Sequence, residues 1–147
     1  MRIAHMAIVA GTAAAVFIAG TSAMTAAPAP GGPRPLQPLS ERDMRAAHGS
    51  GCQLSFDDGR STFVYVIGHE YMIRTTTGRL ACRISDAQFA RLSGGGSMSC
   101  GGYRINIRET GPGAAHEASD SADAPATLTA TALGRSWTMR GRWGSAC

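Results

Sequence analysis

The chain has 147 residues, with 14 basic and 10 acidic side chains and a formal net charge of +4. All 14 are arginine, so a Walker-type phosphate loop is excluded, because that loop reaches its phosphates with a lysine. The 4 cysteines include no C-x-x-C pair, which speaks against zinc ribbons and thioredoxin-like redox chemistry and for disulfides.

The first residues read as an address. A short basic start, Met1-Arg2, precedes an apolar, alanine-rich run from Met6 to Gly20, and Thr21-Ser22-Ala23 offers a small-x-small cleavage site. This is the layout of a signal peptide over 1–23, with export to the periplasm or the medium. An uncleaved anchor is the alternative, and it would be the chain's sole attachment to a membrane. Cleavage removes Arg2 and leaves 13 arginines against 10 acidic residues. Residues 24–39 are dominated by Ala, Pro and Gly and read as a flexible tether, so the folded domain is expected over 40–147.

Ser40 to His48 has the form of a short helix, with Ser40 as N-cap, Asp43 three residues on and Gly49 as a stop. Cys52 to Phe56 alternates as a strand, and Asp57-Asp58-Gly59 is a turn. From Phe63 to Ile84 the pattern predicts a three-strand meander. A two-residue loop at Gly68-His69 pairs Ile67 with Glu70, Val66 with Tyr71 and Val64 with Ile73. A second loop at Thr77-Gly78 sets Leu80 against Thr75, Cys82 against Ile73 and Ile84 against Tyr71. One face then collects Val64, Val66, Tyr71, Ile73, Leu80, Cys82 and Ile84. The other begins with Phe63, Tyr65, Ile67 and Met72 and becomes polar at Arg74, Thr76, Arg79 and Arg83.

Ser85 with Gln88 forms a second capping box, opening a helix through Leu92 whose Phe89 and Leu92 are expected to cover Phe63, Tyr65 and Ile67. After Gly94-Gly95-Gly96 the stretch SMSCGG reads as a flexible connection, and Tyr103 to Arg108 as a half-buried strand. Residues 109–125 are small, polar and net negative, the composition of a disordered loop. Ala126 onward predicts a hairpin turning at Gly134-Arg135, with Trp137 facing Ala132, Met139 facing Ala130 and Trp143 facing Ala126. Seven strands joined by short turns, with one or two short helices, predict a mainly β fold: a small antiparallel barrel or a strongly curved sheet.

In an exported domain of this size Cys52, Cys82, Cys100 and Cys147 are expected to form two disulfides. Of the possible connectivities, the favoured one joins Cys52 to Cys147, closing the ends of the domain, and Cys82 to Cys100, bracketing the second helix. A zinc site would need a grouping such as His48 with Cys52, and no metal or cofactor is expected.

Candidate chemistry is sparse. His69-Glu70 lies at a hairpin tip, and Ile73 stands where a metalloprotease helix would need its second histidine. Ser97, Ser99 and Cys100 have neither a nucleophile elbow nor a neighbouring histidine, and His48, His69 and His116 have no metal-ligand spacing. No catalytic residue is therefore assigned, and the chain is read as non-enzymatic. The better candidate is a stripe of outward arginines, Arg104 and Arg108 on one strand and Arg140 and Arg142 on another taken as its neighbour. Such a surface suits an anionic envelope polymer or an acidic protein. Nucleic acid is not expected, since the chain is exported and its arginines do not interleave with exposed aromatics.

An exported β domain framed by an early and a terminal cysteine, with the loop SGGGSMSCGGY before a late strand, is loosely similar to periplasmic inhibitors of c-type lysozyme. The likeness is one of layout. It implies, as the alternative function, that this loop enters the cleft of a muramidase. The compact Ser-Gly-x-x-Tyr loop of that family does not recur at its spacing, so no inhibitory residue carries over.

Overall fold

Alternation of apolar and polar residues shapes almost everything in residues 34–147, the part of the chain that the computed structural model describes. The expected signal peptide and most of the expected tether lie outside the described residues. Strands β2 (Gln53–Asp57), β3 (Thr62–Ile67), β4 (Glu70–Thr75) and β5 (Gly78–Arg83) form the first antiparallel run. Helix α2 (Asp86–Leu92) then leads to β6 (Gly96–Cys100), β7 (Tyr103–Glu109), β9 (Ser121–Ala132) and β10 (Arg135–Ala146). These eight strands make one antiparallel sheet, curled into a half-barrel in the order β5-β4-β3-β2-β10-β9-β7-β6. The strongly curved sheet with short helices is thus the observed fold.

Two short strands lengthen existing lanes. β1 (Leu36–Gln37) pairs with the end of β4 that β3 does not reach, Leu36 opposite Thr75. β8 (Ala114–His116) pairs with the start of β9 beyond the end of β7, Ala114 opposite Asp123. Both correct the sequence reading. Folded structure includes the last residues of the expected tether, where Leu36 and Leu39 are buried. The supposed disordered loop contains β8, a 3-10 turn at Glu117–Ser119 and the first residues of β9. Its small side chains hid an alternation that runs on through Ala124, Ala126, Leu128 and Ala130, all buried.

The first hairpin has the expected register, with Val64 opposite Ile73 and Val66 opposite Tyr71. The next turn closes one residue earlier than expected, at Thr76-Thr77, so Tyr71 faces Cys82 and Ile73 faces Leu80. Thr75 explains this: its buried hydroxyl accepts from the Thr77 N–H at 3.2 Å and donates to the Gly78 carbonyl at 3.1 Å. The β9–β10 hairpin slips in the same sense. Its turn is Leu133-Gly134, with φ of 51° and 72°, which matches the two positive central angles of a type I′ turn. Trp137 therefore faces Ala130 and Trp143 faces Ala124. Each slip moves the pairing by two residues, and every side chain keeps its face.

A bulge changes one face. Phe56 pairs with Val64 and Asp57 with Thr62, so Phe63 is the extra residue and turns inward beside Val64. Its ring lies 6.5 Å from that of Trp137. Phe63 is therefore not covered by α2, as the unbroken alternation implied. Helix α2 instead packs Leu92 and Phe89 on the main core, and the Trp143 indole N–H donates to the Leu92 carbonyl at 2.8 Å. Helix α1 (Glu41–Arg45) lies over the opposite side of the sheet, where the Asp43 carboxylate meets Arg74 at 2.8 Å.

Both expected disulfides are present, Cys52–Cys147 and Cys82–Cys100. The first extends the β2–β10 ladder past Gln53 and Ala146. The second joins β5 to β6, the two edge strands, which no ladder connects.

Candidate functional site

The arginine stripe lies on the convex face of β7, β9 and β10. β9 separates the other two strands, which corrects the expectation that they are neighbours. Side chains of one face recur at every second residue, so the registers align the polar residues in cross-strand rows. Arg108, Thr127 and Arg140 form one row. Asn106, Thr129 and Thr138 form the next, and Arg104, Thr131 and Ser136 the third. β6 extends the last two rows with Ser97 and Ser99. The segment SMSCGG is thus a strand and its turn rather than a flexible connection. Met98 and Cys100 alternating with Ser97 and Ser99 was the signal, masked by the glycines beside it.

Hydroxyls link neighbouring strands within the rows. Thr129 and Thr138 are 3.2 Å apart, Thr131 and Ser136 2.8 Å, and Ser97 donates to Asn106 Oδ1 at 2.9 Å. With lanes about 4.8 Å apart, Arg108 and Arg140 stand about 10 Å apart across Thr127 at their Cα atoms. Arg104 lies four residues along β7, about 13 Å from Arg108. Arg104, Arg108 and Arg140 are exposed and form no ion pair among the described residues.

Arg142 is different. Its Nε and Nη2 both donate to Asp123, the first at 2.6 Å, and His116 Nε2 lies 3.3 Å from the same carboxylate. The hydrogen bonds from Arg142 hold the Asp123 carboxyl down at about 2, against partial burial that would raise it, with His116 adding to the effect. The Arg142 guanidinium is raised in turn, first by the same hydrogen bonds. The structure therefore places Arg142 in a tie between β9, β10 and β8, apart from the three free guanidiniums. Its partner could not be foreseen while 109–125 read as disordered.

The remaining candidates stand apart. Glu70 accepts the His48 backbone N–H at 2.8 Å, which anchors the end of the α1 segment to the hairpin. His69 points to Asp86 at 3.6 Å, so the adjacent His69 and Glu70 have separate partners. His48 is exposed, and no group of His, Cys, Asp and Glu among the described residues could hold a metal ion.

The three rows contain no carboxylate and no histidine. What they offer a ligand is positive charge from three planar guanidiniums and an array of hydroxyl and amide groups on a hydrogen-bonded sheet. Comparison of the chain with protein-family models finds no match, and neither the curated proteins nor the solved structures give one.

Proposed function

We propose that this is a non-enzymatic binding domain of the cell envelope or the secreted space, and that its β7–β9–β10 face docks an anionic envelope polymer. The observation that carries the reading is the set of Arg104, Arg108 and Arg140, exposed and without acidic partners among the described residues. Guanidiniums bind carboxylate, sulfate and phosphate groups bidentately, and they do so best when not already engaged. The hydroxyls between them suit a sugar backbone. The two disulfides fit an oxidising compartment, and no helix among the described residues is long and apolar enough to cross a membrane.

Retention on immobilised heparin, a generic polyanion, tests the reading. Wild type is expected to need added salt for elution, and the triple variant R104S/R108S/R140S to elute at the starting ionic strength. R142S is expected to elute with wild type, since that guanidinium is held by Asp123. Flow-through of the wild type, or equal retention of the triple variant, overturns the proposal.

A further inference from the structure

We propose a second binding site on β6, which takes an extended peptide as an added strand and holds a carboxylate of that peptide at Arg91. β6 is an edge of the half-barrel, paired among the described residues with β7 alone. Its turn has two residues, Gly101-Gly102, with φ of 57° and 83°, so Cys100 and Tyr103 form a hydrogen-bonded pair. Alternation from that pair points the backbone groups of Cys100, Met98 and Gly96 at β7, and those of Ser97 and Ser99 at the open side.

The two edges are protected unequally. β5 carries Arg79 and Arg83, charges of the kind that discourage strand pairing. The start of β6 has no charge, no proline and no bulge. The Cys82–Cys100 disulfide draws β5 to the far end of β6 and leaves Gly96–Met98 beside α2. Between them runs a groove of about 320 Å³, lined by Gln88, Arg91, Leu92, Gly96, Ser97 and Met98. Its geometry is that of strand addition: an open edge on one wall, a helix on the other and apolar side chains at the base. Met98 is half-buried and lies 3.9 Å from Gln88 Nε2 on the helix wall, so an inward peptide side chain meets the open part of Met98 by displacing that amide. Arg91, exposed and without an acidic partner among the described residues, sets the charge of the occupant. A glycan would leave the Ser97 N–H and carbonyl without the alternating partners that a peptide backbone brings.

The test is an amide-resolved NMR titration of the full chain with the acetylated pentapeptide Ser-Thr-Val-Thr-Val bearing a free C-terminal carboxylate. Saturable shifts centred on Ser97 and Met98, with slower hydrogen exchange at Ser97, are expected. Amidating the peptide C-terminus, or the substitution R91S, is expected to weaken binding about tenfold, the value of one charge-assisted hydrogen bond. N-methylation of alternate peptide amides is expected to abolish it. Absence of a saturable shift at Ser97, equal binding by the N-methylated peptide, or indifference to both amidation and R91S overturns the proposal. Shifts centred on Arg104, Arg108 and Arg140, or a Ser97 shift that follows protein concentration without peptide, would assign the edge no such role. Arg91 is exposed on α2, and an unchanged spectrum of R91S elsewhere establishes that this variant folds.

Discussion

Tyr71 carries its hydroxyl into the core of the half-barrel, buried and without a hydrogen-bond partner among the described residues. Burial pushes its phenol pKa up, so the group stays neutral, yet an unpaired buried hydroxyl still loses its hydration. Tyr71→Phe is therefore expected to leave stability unchanged or raise it by about 1 kcal/mol in chemical denaturation. A loss of that size would show that the hydroxyl has a partner. Asp123 makes the opposite case. Its carboxyl titrates at about 2 when folded against an ordinary 3.8, so the unfolded chain binds the proton more tightly. The tie to Arg142 thus contributes stability in full above the unfolded value and loses it as pH falls through 3.8 towards about 2. Thermal melts between pH 6 and pH 2 are expected to fall more steeply for wild type than for R142S. Parallel curves would mean that the pair has no folded-state advantage.

At the scale of elements, much of the fold was legible. Both capping boxes form as read, Ser40 with Asp43 and Ser85 with Gln88, because a cap is a local contract between residues three apart. The faces of β3, β4, β5, β9 and β10 were also legible, since apolar alternation assigns a face whatever the register. Turn positions were not, because registers two residues apart bury the same side chains. What decides them is local: the Thr75 hydroxyl in one hairpin, and in the other a pair of positive φ angles at Leu133 and Gly134. Leu133 is fully exposed and takes φ of 51° with no packing in return. Leu133→Asn, which gives the Asn-Gly pair favoured in type I′ turns, is expected to stabilise the domain by about 1 kcal/mol. An unchanged denaturation midpoint would remove backbone strain from the account of that turn. The inward turn of Phe63 was hidden for a different reason, since a bulge leaves no mark in an alternating pattern.

Across the whole molecule, the half-barrel keeps most of its apolar residues inside and along α2, with Met72 buried on the α1 side, and turns a hydroxyl lattice outward on β6, β7, β9 and β10. The arginines of that lattice could be read from the sequence, as could their outward direction. Their inequality could not, because Asp123 lies in a segment whose composition resembles a loop. Sorting the four leaves Arg104, Arg108 and Arg140 exposed and without an ion-pair partner among the described residues, with Arg142 fastening β10 to the start of β9. The central claim is that an anionic polymer docks on this face, and an NMR titration with a short heparin oligosaccharide tests it most directly. The expected result is saturable, salt-sensitive shifts at the amides of Arg104, Arg108, Thr127, Thr129 and Arg140, with little change at Arg142. Shifts centred on Arg74, Arg79 and Arg83, or none at all, would contradict it.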